Sequence, residues 1–455
     1  MKATFIAATE PDWKALTNAL LTPDGHENAG VLLCGTAEID RERRLLLRRF
    51  VQVPRDQYVV RQPYHLEVSP SFYNRVVTDC LRDTLTPVII HSHPSNGEAW
   101  YSGSDDYGET RLLGALSALL PGSSPASLVI TRTAVTGREL NAQGFSPLAG
   151  LRLVGTSSGT VHFDDLGGAQ RPISAVYDRQ VRAFGKDGQR TLQALRVAIV
   201  GTGGIGSLVG EELARAGVQD FVLVDSDVVE ESNVSRLFGA TSQDVRRPKV
   251  DVVARHLKGL GVPAVQVIND SAIRQPVLMA LRDREIVFCC VDNDRSRALL
   301  NRFAHQYLIP VIDHGTRLDA RQGQISAAAG RVTVVGPGLA CLRCSHHTNP
   351  ERIRAESMPA AERVALQREG YVMGVDEPAP AVVSINTVVA GLGATAGINL
   401  FVRLTGGVQP VDQIYDARSG SVFPVSARHD SGCDVCDDEV GIKALGDRQI
   451  VSAYD

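Results

Sequence analysis

The sequence has little net charge, no sustained apolar stretch at its start, and few cysteines outside two short pairs. Lys and Arg number 47 against 51 Asp and Glu, a formal charge of -4, so no general attraction pulls this chain to nucleic acid or an anionic membrane. Any polyanion must be bound locally. The opening "MKATFIAATEPDWKALTNALL" lacks the apolar core and small-residue cleavage site of a secretory leader, and no stretch is expected to reach the ~20 apolar residues of a membrane span. The expectation is a cytoplasmic protein with neither a nucleic-acid nor a membrane partner. Of the eight cysteines, Cys34, Cys80, Cys289 and Cys290 are scattered through apolar contexts and the rest form two Cys-x-x-Cys pairs. That usage suits metal binding and buried thiols better than a disulfide framework.

What is present is an ordinary globular balance, 44% hydrophobic and 22% charged residues over 455 positions, enough for roughly two to four domains. From residue 30 to 155, β-rich runs such as "GVLLCG" and "LLLRRFVQV" alternate with amphipathic stretches such as "SFYNRVVTDCLRD" and "GETRLLGALSALL", predicting a compact α/β domain over residues 1–155. Residues 156–172, "TSSGTVHFDDLGGAQRP", lack apolar periodicity and are expected to be a linker. From "LRVAIVGTGGIG" onward the strand candidates "FVLVD", "VQVIND", "IVFCCVD" and "IPVIDHG" alternate with helices, predicting a doubly wound, mostly parallel sheet within residues 173–455.

In "PVIIHSH", His91 and His93 lie two apart in a strand and so on one face, where both imidazoles can reach one metal ion. Asp105, at a predicted helix start in "SGSDD", offers a third ligand, with neighbouring Asp106 as its competitor. Three N/O ligands leave one tetrahedral position open for water, the catalytic rather than the structural zinc pattern. Glu27, just before the first strand, is the candidate base, and the Ser102 hydroxyl the candidate oxyanion donor. With a Glu before the first strand, then HxH, a spacer and SxxD, residues 1–155 resemble the JAB/MPN metalloproteases. The eight-residue spacer between His93 and Ser102 is one longer than the usual pattern. The resemblance implies hydrolysis of an amide or isopeptide bond at the tail of a ubiquitin-like protein. The alternative is a catalytically silent binding domain.

"VAIVGTGGIGS" places Gly201, Gly203, Gly204 and Gly206 between a strand and a helix, where phosphates can approach backbone amides. With Asp225 ending the second strand at ribose-contact distance, this much would equally suit a dinucleotide-dependent oxidoreductase. The groups that follow suit a triphosphate: Asn233, Arg236 and Lys249 can neutralise phosphate charge, and Asp292 can hold Mg2+. Residues 177–436 resemble the adenylating domain shared by ThiF/MoeB/HesA proteins and ubiquitin-activating enzymes. The resemblance implies ATP as substrate, ribose at Asp225, phosphates at Asn233, Arg236 and Lys249, and magnesium at Asp292. Arg179 matches an arginine that in that family reaches the ATP of the opposite subunit, which implies a homodimer. Cys341 and Cys344 with Cys433 and Cys436 suit a closed, structural thiolate zinc site; a thioredoxin-like redox pair is the rival.

Together these readings predict a bifunctional enzyme that adenylates the C-terminal carboxylate of a ubiquitin-like β-grasp protein and, through a zinc peptidase domain, processes or deconjugates it. The alternatives are an activator and maturase of a sulfur-carrier protein, or a noncatalytic recruitment scaffold. Residues 345–387 contain no cysteine, and Cys289 and Cys290 are expected to be buried and inert. The acyl-adenylate is therefore expected to pass directly to an external acceptor such as a conjugating-enzyme-like protein.

Overall fold

The computed structural model describes residues 2–163, 172–321, 324–359, 362–363, 380–404, 406 and 410–448. The chain divides into two compact units: Met1–Gln170 with Lys443–Ile450, and Arg171–Ile442 with Val451–Asp455.

The first unit is built on a mixed sheet, nine-stranded among the described residues, in the order β11-β10-β1-β3-β2-β6-β7-β8-β9. Its strands are β1 (Ala3–Thr9), β2 (Ala29–Glu38), β3 (Glu42–Gln52), β6 (Thr86–Ser92), β7 (Ala126–Ile130), β8 (Val135–Asn141), β9 (Gly144–Pro147), β10 (Gly150–Val154) and β11 (Gly159–His162); β4 (Tyr58–Gln62) and β5 (His65–Val68) form a separate ribbon. Helices α1 (Glu10–Leu20), α2 (Pro70–Asp83) and α3 (Gly103–Leu119) cover it. The central strand "TPVIIHS" is buried on both faces because one core, with Leu16, Leu20 and Ile90, packs on one side and another, with Phe72, Val76, Ile89 and Leu113, on the other. A strand so enclosed reads as a continuous apolar run, and each such side chain contributes roughly 1.5–3 kcal/mol.

Two boundaries differ from the expectation. Residues 159–162, assigned to a linker, form edge strand β11, whose Leu151↔Val161 pairing needs only one good backbone ladder and little apolar content; residues 164–171 lie outside the described residues. The segment Lys443–Ile450 belongs to the first unit rather than the second. It is tied there by a Thr36↔Gly446 bridge, by Arg48 donating to the Lys443 carbonyl at 2.6 Å, and by the Lys443 ammonium on Asp12 at 3.1 Å.

The second unit contains an eight-stranded sheet among the described residues, in the order β14-β13-β12-β15-β16-β17-β18-β19. Its strands are β12 (Arg196–Val200), β13 (Asp220–Val224), β14 (Ala264–Ile268), β15 (Ile286–Cys289), β16 (Val311–Arg321), β17 (Gln324–Val335), β18 (Asp412–Asp416) and β19 (Ser421–Pro424). The first five in that order pair in parallel and the rest antiparallel. The helices are α4 (Asp178–Ala194), α5 (Gly204–Ala216), α6 (Lys249–Gly259), α7 (Gln275–Leu281), α8 (Asp294–Tyr307), α9 (Pro350–Ser357) and α10 (Val383–Val402). Strand order reverses between β12 and β15, and their carboxyl ends open a crevice of the kind ligands occupy in such sheets.

Helix α10 overturns the expectation that no stretch is long and apolar enough to span a membrane. Half of its apolar window is buried, and Val389, Ala390, Ala394 and Leu400 join the core of the second unit. Its glycines permit that packing: a Cβ on Gly393 would lie 1.8 Å from the His314 ring, and one on Gly397 would lie 2.5 Å from Phe288.

Candidate functional site

In the first unit, β2 and β6 run antiparallel with Ala29 opposite His91, a register that carries Glu27 alongside His93. The alternation of the strand is visible in Ser92, which turns to the other face and receives the Asn28 amide at 3.0 Å. His91 and His93 therefore share a face, with their Nε2 atoms 3.2 Å apart. Ser102 caps α3, accepting the Asp105 amide at 3.2 Å, so the first helical turn delivers Asp105 to the histidines. Asp105 Oδ1 lies 3.4 Å from His91 Nε2 and Oδ2 lies 3.9 Å from His93 Nε2.

These separations can be judged against a metal. Tetrahedral ligands at ~2.0–2.1 Å from zinc stand about 3.3 Å from one another. The His91–His93 and His91–Asp105 separations fit that edge length, the Asp105–His93 separation is longer, and Glu27 Oε1 follows at 3.8 Å from His93 Nε2. Burial pushes His91 down to about 4 and lowers His93 as well, keeping both imidazoles neutral and ligand-competent at neutral pH. Burial and the Asp105 carboxylate push Glu27 up to about 7.

The competing Asp106 is turned away: its carboxylate pairs with Arg138 and is mostly exposed. Ser102, the candidate oxyanion donor, also makes a contact inside the cluster. Its hydroxyl donates to Asp105 Oδ2 at 2.6 Å, so in this structure it orients the ligand. Glu109, one turn beyond Asp105 on α3 and facing His91, was missed by the sequence reading although its i+4 spacing was a usable signal. Trp100 was missed too; its ring meets His93 edge-on at 5.3 Å while the residue stays exposed.

In the second unit a cleft of about 910 Å³ opens at the carboxyl ends of β12, β13 and β15. Its wall includes Gly201, Gly203, Gly204, Asp225, Asn233, Arg236, Lys249 and Asp292. Gly201 has φ +88° and a Cβ there would lie 2.7 Å from the Cys290 carbonyl, so only glycine lets the loop turn this tightly. Gly206 is corrected: it does not line the cleft, and its missing Cβ, 1.9 Å from the Gly201 carbonyl oxygen, permits helix–loop packing instead.

Asp225 is fixed by the Thr202 amide at 2.7 Å and the Asp227 amide at 2.9 Å, and burial raises its carboxyl above the usual range. The Lys249 ammonium rests on Asp227 at 2.8 Å, and Arg236 donates to the Ser232 carbonyl at 2.7 Å. The Asn233 side chain accepts the Glu230 amide at 3.2 Å and helps cap a short 3-10 turn, so part of its role is local. Asp292, just past β15, is exposed at the cleft. Arg179 is exposed on α4 and does not line this chain's own cleft, so nothing in the single chain brings it to the nucleotide groups.

Several cleft groups come from distant sequence and carried no local signal: Arg297 on α8, His314 on β16, Arg352 and Glu356 on α9, and Asn386 on α10. A Cβ on Gly204 would lie 2.6 Å from Asn386 Nδ2, so α10 closes over the glycine loop. Arg297 spans the floor, donating to the Val291 and His314 carbonyls, both at 2.9 Å. Cys290 also differs from expectation. Cys289 is fully buried, but Cys290 lies beyond the strand, is part-exposed and lines the cleft, with Sγ 3.6 Å from His314 Nδ1. Its low-dielectric surroundings still push the thiol well above its ordinary value. Of the cysteine-free segment 345–387, residues 360–361 and 364–379 lie outside the described residues.

Four buried sulfurs complete the second unit. Cys341 Sγ lies 3.8 Å from Cys433 Sγ, and Cys344 Sγ lies 3.6 Å from Cys436 Sγ, near the ~3.8 Å edge of a tetrahedron with ~2.3 Å Zn–S bonds. The Asp430 amide donates to Cys344 Sγ at 3.4 Å, and His429 Nδ1 lies 3.3 Å from Cys436 Sγ. Such outer contacts orient thiolate ligands. Four mutual neighbours are a metal cage rather than a redox pair.

Comparison with known proteins bears on the second unit. The SAMP-activating enzyme E1 of Haloferax volcanii is 32% identical over 168 residues, covering 37% of this chain and 59% of that protein. The molybdopterin-synthase adenylyltransferase of Escherichia coli is 31% identical over 176 residues, 37% of this chain and 66% of that one. The sulfur carrier protein ThiS adenylyltransferase of Escherichia coli is 28% identical over 272 residues, 57% of this chain and 94% of that one. The chain thus spans less than two thirds of the first two relatives. Residues 1–176 fall outside the matched family range. With 177–435 matched by the ThiF family model, more than half its length, the chain belongs to the ThiF family.

Proposed function

We propose that this chain adenylates the C-terminal carboxylate of a small β-grasp carrier protein with ATP, and that its first unit is a zinc-dependent peptidase acting on the tail of the same carrier. The observation that carries the first part is the cleft that gathers a glycine loop, the half-buried Asp225, two cations and Asp292 at the carboxyl ends of adjacent parallel strands. The carrier carboxylate attacks the α-phosphate, an acyl-adenylate forms, and pyrophosphate leaves. The glycine-loop amides and the N-terminus of α5 cradle phosphate, Asp225 accepts from ribose, and Arg236 and Lys249 offset the charge that builds on the phosphates. Asp292 would hold a magnesium ion that neutralises phosphate charge.

Sulfur-carrier activation is favoured over conjugation as the outcome, because relatives covering 37% and 57% of this chain are named for molybdopterin synthase and a sulfur carrier. In the first unit, His91, His93 and Asp105 would hold zinc, which supplies Lewis-acid activation for hydrolysis of an amide bond. Glu27 takes the proton from the attacking water, and Ser102 keeps Asp105 oriented.

The test is ATP–pyrophosphate exchange by the full chain with β-grasp carriers ending in glycine, followed by mass analysis of the products. Exchange that depends on a carrier, and a carrier thiocarboxylate when a sulfur donor is supplied, is the expected result. Carrier-independent exchange, or none with any carrier, overturns the adenylation reading. A carrier–lysine adduct instead of a thiocarboxylate restores conjugation. An extended carrier left uncut by zinc-loaded protein overturns the peptidase reading.

A further inference from the structure

The group behind the zinc-ligand triad is built in more detail than a salt bridge requires. Asp105 and Glu109 lie four apart on α3 and so present to the same face, Asp105 to the Nε2 side of His91 and Glu109 to its Nδ1 side. Glu109 is buried, and its two oxygens are used differently. Oε2 receives Ser127 Oγ at 2.7 Å and Arg138 Nε at 2.9 Å. Oε1 is buried with no hydrogen-bond partner, and the ring nitrogen it faces is His91 Nδ1 at 3.9 Å. Leaving a buried carboxylate oxygen without a partner is destabilising, so the arrangement needs a compensating gain.

Arg138 holds the carboxylate in place. Its guanidinium lies between the Tyr101 and Phe145 rings, 3.7 and 3.8 Å from their centroids, and also pairs with Asp106. Glu109 therefore cannot swing away to satisfy Oε1 elsewhere. When His91 ligates a metal through Nε2, its proton must sit on Nδ1, facing the unused oxygen. A ring rotation or helix shift of roughly 1 Å closes the 3.9 Å gap to a hydrogen bond.

We infer that Glu109 is a positioning residue that fixes the tautomer and ring orientation of His91 for metal binding. The inference rests on the proposed zinc site in the first unit. Carboxylates in this position raise the basicity of the ligand histidine, and their loss typically weakens metal binding by ~10–100-fold.

The test titrates the full chain with Co2+ and with Zn2+ against a competing chelator, for the wild type, Glu109→Ala and Glu109→Gln. The d–d bands at shorter visible wavelength that remain after the cysteine site is filled with Zn2+ follow the His91/His93/Asp105 site, and sulfur-to-cobalt charge transfer follows the cysteine site. The expected result is that Glu109→Ala weakens metal binding at the histidine site ~10–100-fold and shifts its d–d bands, while the cysteine-site spectrum is unchanged. Glu109→Gln, which keeps an acceptor of the same length, recovers most of the affinity. Wild-type affinity and bands in both variants overturn this role with the zinc site intact. Equal loss in both variants, with lowered thermal stability, also overturns it by making Glu109 a structural partner of Arg138. No histidine-site bands in the wild type overturn the zinc site itself and this role with it.

Discussion

The two side-chain clusters of this chain that could hold a metal ion differ in what they leave uncommitted. In the second unit four sulfurs, all buried, enclose the space between them and fill a tetrahedron. In the first unit two imidazoles and one carboxylate leave a fourth direction open, with Glu27 beside it and a part-exposed Asp105. Softer, closed and complete means structural; harder, open and incomplete means reactive. The same contrast predicts opposite responses to perturbation.

The largest effect is expected from the closed site. Cys341→Ser with Cys344→Ser removes half of its ligands, and metal-site loss of this kind costs more than ~4 kcal/mol. Calorimetry should show the second unit losing its unfolding transition or moving it far down in temperature. A transition that stays in place would mean that the cysteine site contributes nothing to folding.

A chelator at moderate concentration sharpens the contrast. It should strip the open site first, abolishing carrier cleavage while ATP–pyrophosphate exchange continues, and zinc should restore cleavage. Parallel loss of both activities would place both metals in one class.

Single substitutions then separate the chemistry. Glu27→Gln is expected to lower cleavage by ~10²–10⁴-fold with metal content unchanged, because a proton acceptor is lost and no ligand is. Asp292→Ala should lower pyrophosphate exchange by ~10²–10³-fold and leave cleavage alone. If either variant loses both activities, the assignment of these residues to separate sites fails.

The smallest effect belongs to the neighbour of the ligand. Asp106 is mostly exposed and pairs with Arg138, so Asp106→Ala should cost no more than ~1 kcal/mol and leave zinc affinity at the wild-type value. Asp105→Ala should abolish binding at that site. Equal affinities for the two variants would erase the distinction between adjacent carboxylates.

Much of each site was readable because its chemistry is local in sequence. HxH at a strand's end and S-x-x-D at a helix start place His91, His93, Asp105 and the cap Ser102 within fifteen residues, and the alternation of extended chain does the rest. The glycine loop likewise sits between β12 and α5, where a strand-to-helix turn forces it. Glycine spacing could not separate roles: Gly201 allows a backbone turn, Gly204 makes room for Asn386, and Gly206 accommodates the Gly201 carbonyl. Those are differences of what lies opposite each missing Cβ.

Packing, rather than composition, decides the place of two segments. The 20-residue apolar helix α10 is a core helix, because glycines at 393 and 397 let His314 and Phe288 approach it. The Gly/Ser/Asp-rich residues after 155 still form a strand, because β10 offers a free edge whose hydrogen bonds need no particular side chains.

The sequence by itself determined the ligand types, their order and the elements that carry them, since strand and helix periodicity act over a few residues. Only the tertiary structure decided which carboxylate of the Asp105–Asp106 pair faces the histidines, that Glu109 turns an unused oxygen toward His91, and that Cys341 and Cys433 meet across 92 positions. Those outcomes depend on helix rotation, on competing partners such as Arg138, and on chain segments brought together by burial. No local spacing encodes them.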